Sequence, residues 1–214
     1  MTRLATGAEL RLTGDGGDGL VLCVDGGQGR ELEGTWSASV EWLVRDLAPR
    51  LPELTFAELR YRVRSWRRLD WCVEDAQAAL REVAAERVLL LGFSMGGAVA
   101  VSVAGEPSVR GVIGLAPWLP DGLDVSPIAG KRLAVVHGAL DRALPGIPGV
   151  SPALSRRGLE RARAAGATCS YVLLPGAVHG VALRAPWGDL LPLPRARRWA
   201  ALVEHALRRF AEGD

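Results

Sequence analysis

Val88-Leu89-Leu90-Leu91-Gly92-Phe93-Ser94-Met95-Gly96-Gly97-Ala98-Val99-Ala100-Val101 runs from four consecutive apolar residues, through a serine set among glycines, into small apolar residues. A short apolar run bounded by glycine suits a strand buried on both faces. The spacing Gly-x-Ser-x-Gly then predicts a sharp turn from strand to helix with Ser94 at its apex. Side chains at the flanking positions of such a turn would collide with its neighbours, and the apex residue sits in strained backbone space. The helix start brings free N–H groups and positive partial charge to where an oxyanion on a Ser94 adduct would form. With 26 glycines in 214 residues, the same pentapeptide also arises by chance as a plain connector. The rest of the chain has to separate the two readings.

Other wholly apolar runs are Leu20 to Val24, Val109 to Leu115, Leu133 to Val136 and Tyr171 to Leu174, with Phe56 to Tyr61 a more mixed strand. Such runs suit the doubly buried strands of a parallel sheet. Helical patterns lie between them, over Ser37 to Leu47, Asp70 to Ala85, Gly96 to Ala104, Ser155 to Ala165 and Arg198 to Phe210. Alternating strands and helices predict an α/β fold, a doubly wound and mostly parallel sheet with helices on both faces. The strand Glu9 to Leu12 and the turn Asp15-Gly16-Gly17-Asp18-Gly19 predict a hairpin at one edge. With two carboxylates and no distal glutamate in register, that turn is not read as a calcium loop.

The length fits a single domain, 1–214, able to bury a core without metals or disulfides. No apolar stretch approaches a membrane span, and Met1-Thr2-Arg3-Leu4 leads into polar sequence, so a cytoplasmic protein without a membrane partner is expected. Cys23, Cys72 and Cys169 are read as reduced core cysteines. A net charge of +2, with acids balancing the arginine clusters, argues against a nucleic-acid partner.

In doubly wound sheets, reactive groups collect on loops beyond the carboxyl ends of the strands. After Val136 comes His137-Gly138-Ala139-Leu140-Asp141, and after Leu174 comes Pro175-Gly176-Ala177-Val178-His179-Gly180. With these loops and Gly-Phe-Ser-Met-Gly-Gly, the chain from about Leu20 to Phe210 resembles the α/β-hydrolase superfamily. It is most similar to the small lidless serine esterase-like members, near the dienelactone-hydrolase and carboxylesterase branch. The resemblance implies a serine, acid, histidine chain order. Ser94 would be the nucleophile, His179 its base and Asp141 the acid that orients the imidazole. By the same analogy His137 is structural. His205 is read as a surface residue, and Asp124 and Asp189 do not directly follow a predicted strand. Met95 N–H would give one oxyanion donor. The second would come from Asp25-Gly26-Gly27-Gln28-Gly29, with Gly27 the first candidate and Gly26 and Gln28 beside it. Many relatives begin this loop with His-Gly, so Asp25 is a departure.

The Ala116 to Arg132 connection is too short for a cap domain. Pocket walls are sought in Gln28, Arg64, Trp66, Trp118 and Trp187, with Arg64 a candidate for a substrate carboxylate or phosphate. Trp187 lies in Val181 to Pro194, read either as a flap or as a dimer patch. The expected activity is cleavage of a small-molecule ester or thioester through an acyl-enzyme, with no metal or cofactor, by a monomer or homodimer. Transfer of the acyl group to another acceptor, and a non-catalytic receptor on the same scaffold, stay open.

Overall fold

The computed structural model describes residues 1–15, 17, 19–142 and 149–211. Eight strands form one sheet: β1 (Thr2–Arg3), β2 (Glu9–Thr13), β3 (Gly19–Val24), β4 (Leu54–Arg60), β5 (Val88–Phe93), β6 (Val109–Leu115), β7 (Arg132–Gly138) and β8 (Thr168–Leu174), in the order β1-β2-β4-β3-β5-β6-β7-β8. From β4 to β8 every pairing is parallel, and β1 and β2 add an antiparallel margin.

The strands alternate with period two, as a sheet covered on both faces requires. Leu20, Leu22 and Val24 face one apolar layer with Leu90 and Val112, whereas Val21 and Cys23 face the other with Leu89 and Leu91. The first layer is covered by α2 (Leu69–Val83), α3 (Met95–Val103) and α4 (Pro152–Ala164), the second by α1 (Ala38–Leu47) and α5 (Ala196–Ala211). In α1 the buried Val40, Leu43, Val44 and Leu47 recur every three or four residues. Serine hydroxyls cap two helices, Ser37 on Val40 N–H and Ser151 on Leu154 N–H. The connection between β6 and β7 holds one short helical turn, Ser126–Ile128, so no cap domain is inserted there. No helix among the described residues is long and apolar enough to cross a membrane.

Three expectations change. The edge hairpin is β1 with β2, not β2 with β3, because β4 lies between those two strands. After β2, Gly14 lies against the Leu54 carbonyl at the start of β4. Of the predicted turn, Gly16 and Asp18 lie outside the described residues. Next, β8 is an edge strand and not doubly buried, leaving Val172 and Leu173 exposed. Finally, Cys169 is only half-buried, while Cys23 and Cys72 are core residues, and all three are free thiols.

Residues 181–194, read from the sequence as a flap or a dimer patch, carry regular structure. They form a hairpin of β9 (Ala182–Arg184) and β10 (Leu190–Pro192). Ser39 of α1 pins its start, accepting from Val181 and Ala182 N–H. Buried Glu41 pins it again through Arg184 at 2.7 Å, and also pairs with Arg11 and Arg45. Burial alone would raise the Glu41 carboxyl, but Arg184 and Arg11 outweigh it and hold it below its ordinary range. Its stabilisation is therefore complete above the ordinary carboxylate range and is lost as pH falls through the depressed value. We expect Glu41→Gln to cost about 1–2 kcal/mol at neutral pH, between exposed and buried ion pairs. Urea unfolding across an acid series checks this: the variant should lose less stability on acidification than the parent.

Candidate active site

Ser94 sits between β5 and α3 with φ 54° and ψ −119°, a left-handed backbone that costs an L-residue about 1–3 kcal/mol. Close packing holds it there. A Cβ at Gly92 would overlap the Gly96 carbonyl, and one at Gly96 would overlap the Val24 carbonyl at the end of β3. Ser94 N–H donates to Leu115 O at 2.9 Å, and Ser94 O accepts from Trp118 N–H at 2.8 Å. The elbow is thus fastened to β3 on one side and to β6 on the other.

The sheet order then delivers the partners. The loops after β7 and β8 are zipped together by Ala139 N–H to Leu174 O and Leu140 N–H to Ala177 O, both 2.9 Å. From them Asp141 and His179 reach back to Ser94. Ser94 Oγ lies 3.1 Å from His179 Nε2, and His179 Nδ1 lies 2.7 Å from Asp141 Oδ2. A carboxylate only accepts, so the ring proton is on Nδ1 and Nε2 is free to take the serine proton. Phe93 packs tilted on the imidazole with 5.1 Å between ring centroids.

Asp141 is held from behind as well. Its Oδ1 accepts Val150 N–H at 3.0 Å, and its Oδ2 is 3.0 Å from His137 Nε2. Nδ1 of His137 is in turn 2.8 Å from Ser155 Oγ, which contacts the Tyr171 hydroxyl at 3.1 Å. Burial pushes the Asp141 carboxyl up, but the hydrogen bonds from His137 and His179 outweigh it and hold it below the ordinary range. Asp141 therefore belongs to two Ser-His-Asp arrays. Ser155 and His137 are both wholly buried and line none of the cleft, so that array is a support, whereas Ser94 opens onto the cleft. The sequence carried no signal for Ser155, a residue in the first turns of α4 brought to His137 only by packing.

The cleft has a volume of about 570 Å³. Arg64, Trp66 and Trp118 line it as expected, together with Phe93, Val150 and Leu183. Two candidates lie elsewhere. Gln28 does not line the cleft; its carbonyl accepts from Trp66 N–H at 3.2 Å, fixing that wall from outside. Trp187 is also absent from the walls, because it sits on the exposed turn between β9 and β10 with its indole on Asp189. Asp124 is exposed and bonds Ser126, and His205 is exposed on α5, so neither approaches Ser94. The Met95 N–H is in the first turn of α3, free of intrahelical bonds. Gly26 packs on Ser94 and Gly27 on Met95, which puts the glycine loop beside the elbow. Gly26 N–H is taken by Asp25 Oδ1 at 2.6 Å. Gly27 N–H appears in no hydrogen bond among the described residues.

No family model matches the sequence, and no curated protein does. Solved structures match over nearly the whole chain. An α/β serine hydrolase homologue from Coxiella burnetii is 20% identical, with a TM-score of 0.67 over 94% of this chain and 91% of that one. A thermophilic esterase of the planctomycete Thermogutta terrifontis, bound to butyrate, is 19% identical, with a TM-score of 0.67 over 95% and 90%. A monoacylglycerol lipase from Paleococcus ferrophilus is 13% identical, with a TM-score of 0.65 over 94% and 98%. The chain has the α/β-hydrolase fold.

The two arrays should separate by experiment. Ser155→Ala leaves His137 and Tyr171 short of a buried partner and should cost about 1–3 kcal/mol of stability. Thermal unfolding measures that loss, and labelling of Ser94 by a fluorophosphonate should persist in the same variant.

Proposed function

We propose that this protein is a serine hydrolase that cleaves uncharged carboxylic esters or thioesters through an acyl-enzyme on Ser94. The observation that carries the reading is the continuous hydrogen-bonded chain Ser94–His179–Asp141 at the floor of an open cleft. Serine hydroxyl is a poor nucleophile until a base takes its proton during attack. His179 Nε2 is placed for that transfer, and Asp141 stabilises the imidazolium that results. His179 then gives the proton to the leaving alcohol or thiol. Water, deprotonated by the same imidazole, attacks the acyl carbonyl and releases the acid. Met95 N–H and Gly27 N–H are the donors for the oxyanion of both tetrahedral intermediates, each worth ~10²–10³ in rate.

The walls support the choice of an uncharged acyl group. Trp66, Trp118, Phe93, Val150 and Leu183 give an apolar surface, and the Arg64 guanidinium is already paired with Asp25 at 3.3 Å. A substrate carboxylate would have to compete with that pair. The fold neighbours named esterase and lipase agree with ester cleavage in kind.

Ser94→Ala and His179→Ala should each lower kcat by about 10⁴–10⁶, and the double variant should be hardly worse, because the groups act as a unit. Short-chain p-nitrophenyl esters supply the rate, and a fluorophosphonate with mass mapping identifies the labelled residue. Undiminished labelling in Ser94→Ala would refute the nucleophile.

A further inference from the structure

Asp25 and Arg64 line the cleft, yet proton transfer uses neither. Asp25 follows β3 directly and is buried. Three of its atoms are held. Oδ1 accepts Gly26 N–H at 2.6 Å, Oδ2 is 3.3 Å from Arg64 Nη1, and its carbonyl accepts from the buried Tyr61 hydroxyl at 3.3 Å. The Arg64 main chain is fixed in its turn, its backbone N–H donating to Leu32 O at 2.9 Å.

These contacts bear on the oxyanion site. Gly26 is so close to Ser94 that a Cβ there would be 3.1 Å from the serine Cβ. With its N–H consumed by Asp25, Gly26 has no donor left for an oxyanion, and Gly27 is the next peptide in the loop. The orientation of that peptide depends on the bond that fixes Gly26. The same bond brings a carboxylate close to developing negative charge, where an unneutralised anion would oppose the transition state. We propose that Asp25 and Arg64 are paired positioning residues for catalysis: the Asp25 carboxylate orients the Gly26–Gly27 peptides so that Gly27 N–H faces the oxyanion, and Arg64 cancels the charge that this device introduces. The proposal rests on the acyl-enzyme reading of Ser94. Burial pushes the Asp25 carboxyl up, while Arg64, the Ser37 hydroxyl and Gly26 N–H pull it back without fully restoring it. Such a group depends on its cation.

Neutral-ester kinetics on a short series test this. Asp25→Ala removes the acceptor and should lower kcat about 10- to 100-fold with KM within about twofold, a fraction of the full loss of a donor. Arg64→Gln leaves the carboxylate uncompensated and should lower kcat about 100-fold. In Asp25→Asn/Arg64→Gln the acceptor for Gly26 remains and the charge is gone, so kcat should recover at least tenfold over Arg64→Gln. Inhibition by an alkyl trifluoromethyl ketone, which gives an anionic tetrahedral adduct, should weaken in step with kcat/KM. Fluorophosphonate labelling counts folded sites in each variant, and if Arg64→Gln fails to fold, the double variant, which keeps the Gly26 acceptor, should exceed Asp25→Ala in kcat, an equal or lower kcat overturning the pair. A parent protein that does not label at Ser94 overturns the acyl-enzyme reading itself. Full labelling with unchanged kcat in Asp25→Ala, a rise in KM alone in Arg64→Gln, or no recovery in the double variant overturns the pair.

Discussion

The left-handed backbone of Ser94 is the constraint on which the rest of this structure depends. It persists because the elbow has no room to relax: Gly92 lies against Gly96, and Gly96 against the end of β3. Strain of this kind survives only where the surroundings over-determine it. Here the surroundings are the parallel strands β3, β5 and β6 at the centre of the sheet. The same packing that strains Ser94 puts the first N–H groups of α3 and the glycine loop beside it, and so the proposed nucleophile and oxyanion donors share one scaffold.

A second theme is that buried carboxylates near the site are never left alone. Glu41 meets Arg11, Arg45 and Arg184 and fastens the β9–β10 hairpin to α1. Asp141 is bracketed by two imidazoles and a backbone N–H. Asp25 is answered by Arg64. An unpaired buried charge costs several kcal/mol, so each pairing both stabilises the fold and fixes a loop or hairpin. The three loops so fixed follow β3, β7 and β8, and the cleft lies among them.

Much of this was legible in advance because it is local. Val88 to Val101 carries strand, turn and helix in contiguous residues, and the apolar runs mark the strands from β3 to β8. The loops holding Asp141 and His179 follow their strands directly, so a search of strand ends finds them. The edge status of β8 was not legible, since its run Tyr171 to Leu174 is as apolar as that of a central strand and only the sheet order exposes Val172 and Leu173. Nor was the true edge hairpin, because insertion of β4 between β2 and β3 is a long-range pairing. Trp187 looked like a wall residue because it lies in the segment read as a flap over the site, but hairpin pairing carries it to an exposed tip.

By itself, then, the sequence determined the alternation of elements, the elbow at Ser94 and the order of serine, acid and histidine, because each is written in a few adjacent residues by glycine geometry and apolar periodicity. Tertiary structure alone decided which arginine neutralises Asp25, that Ser155 and His137 support Asp141 from behind, and which aromatic residues face the cleft. Those outcomes depend on side chains 18 to 39 positions apart meeting within hydrogen-bond distance. Local propensity holds no information about such meetings; the order of strands in the sheet does.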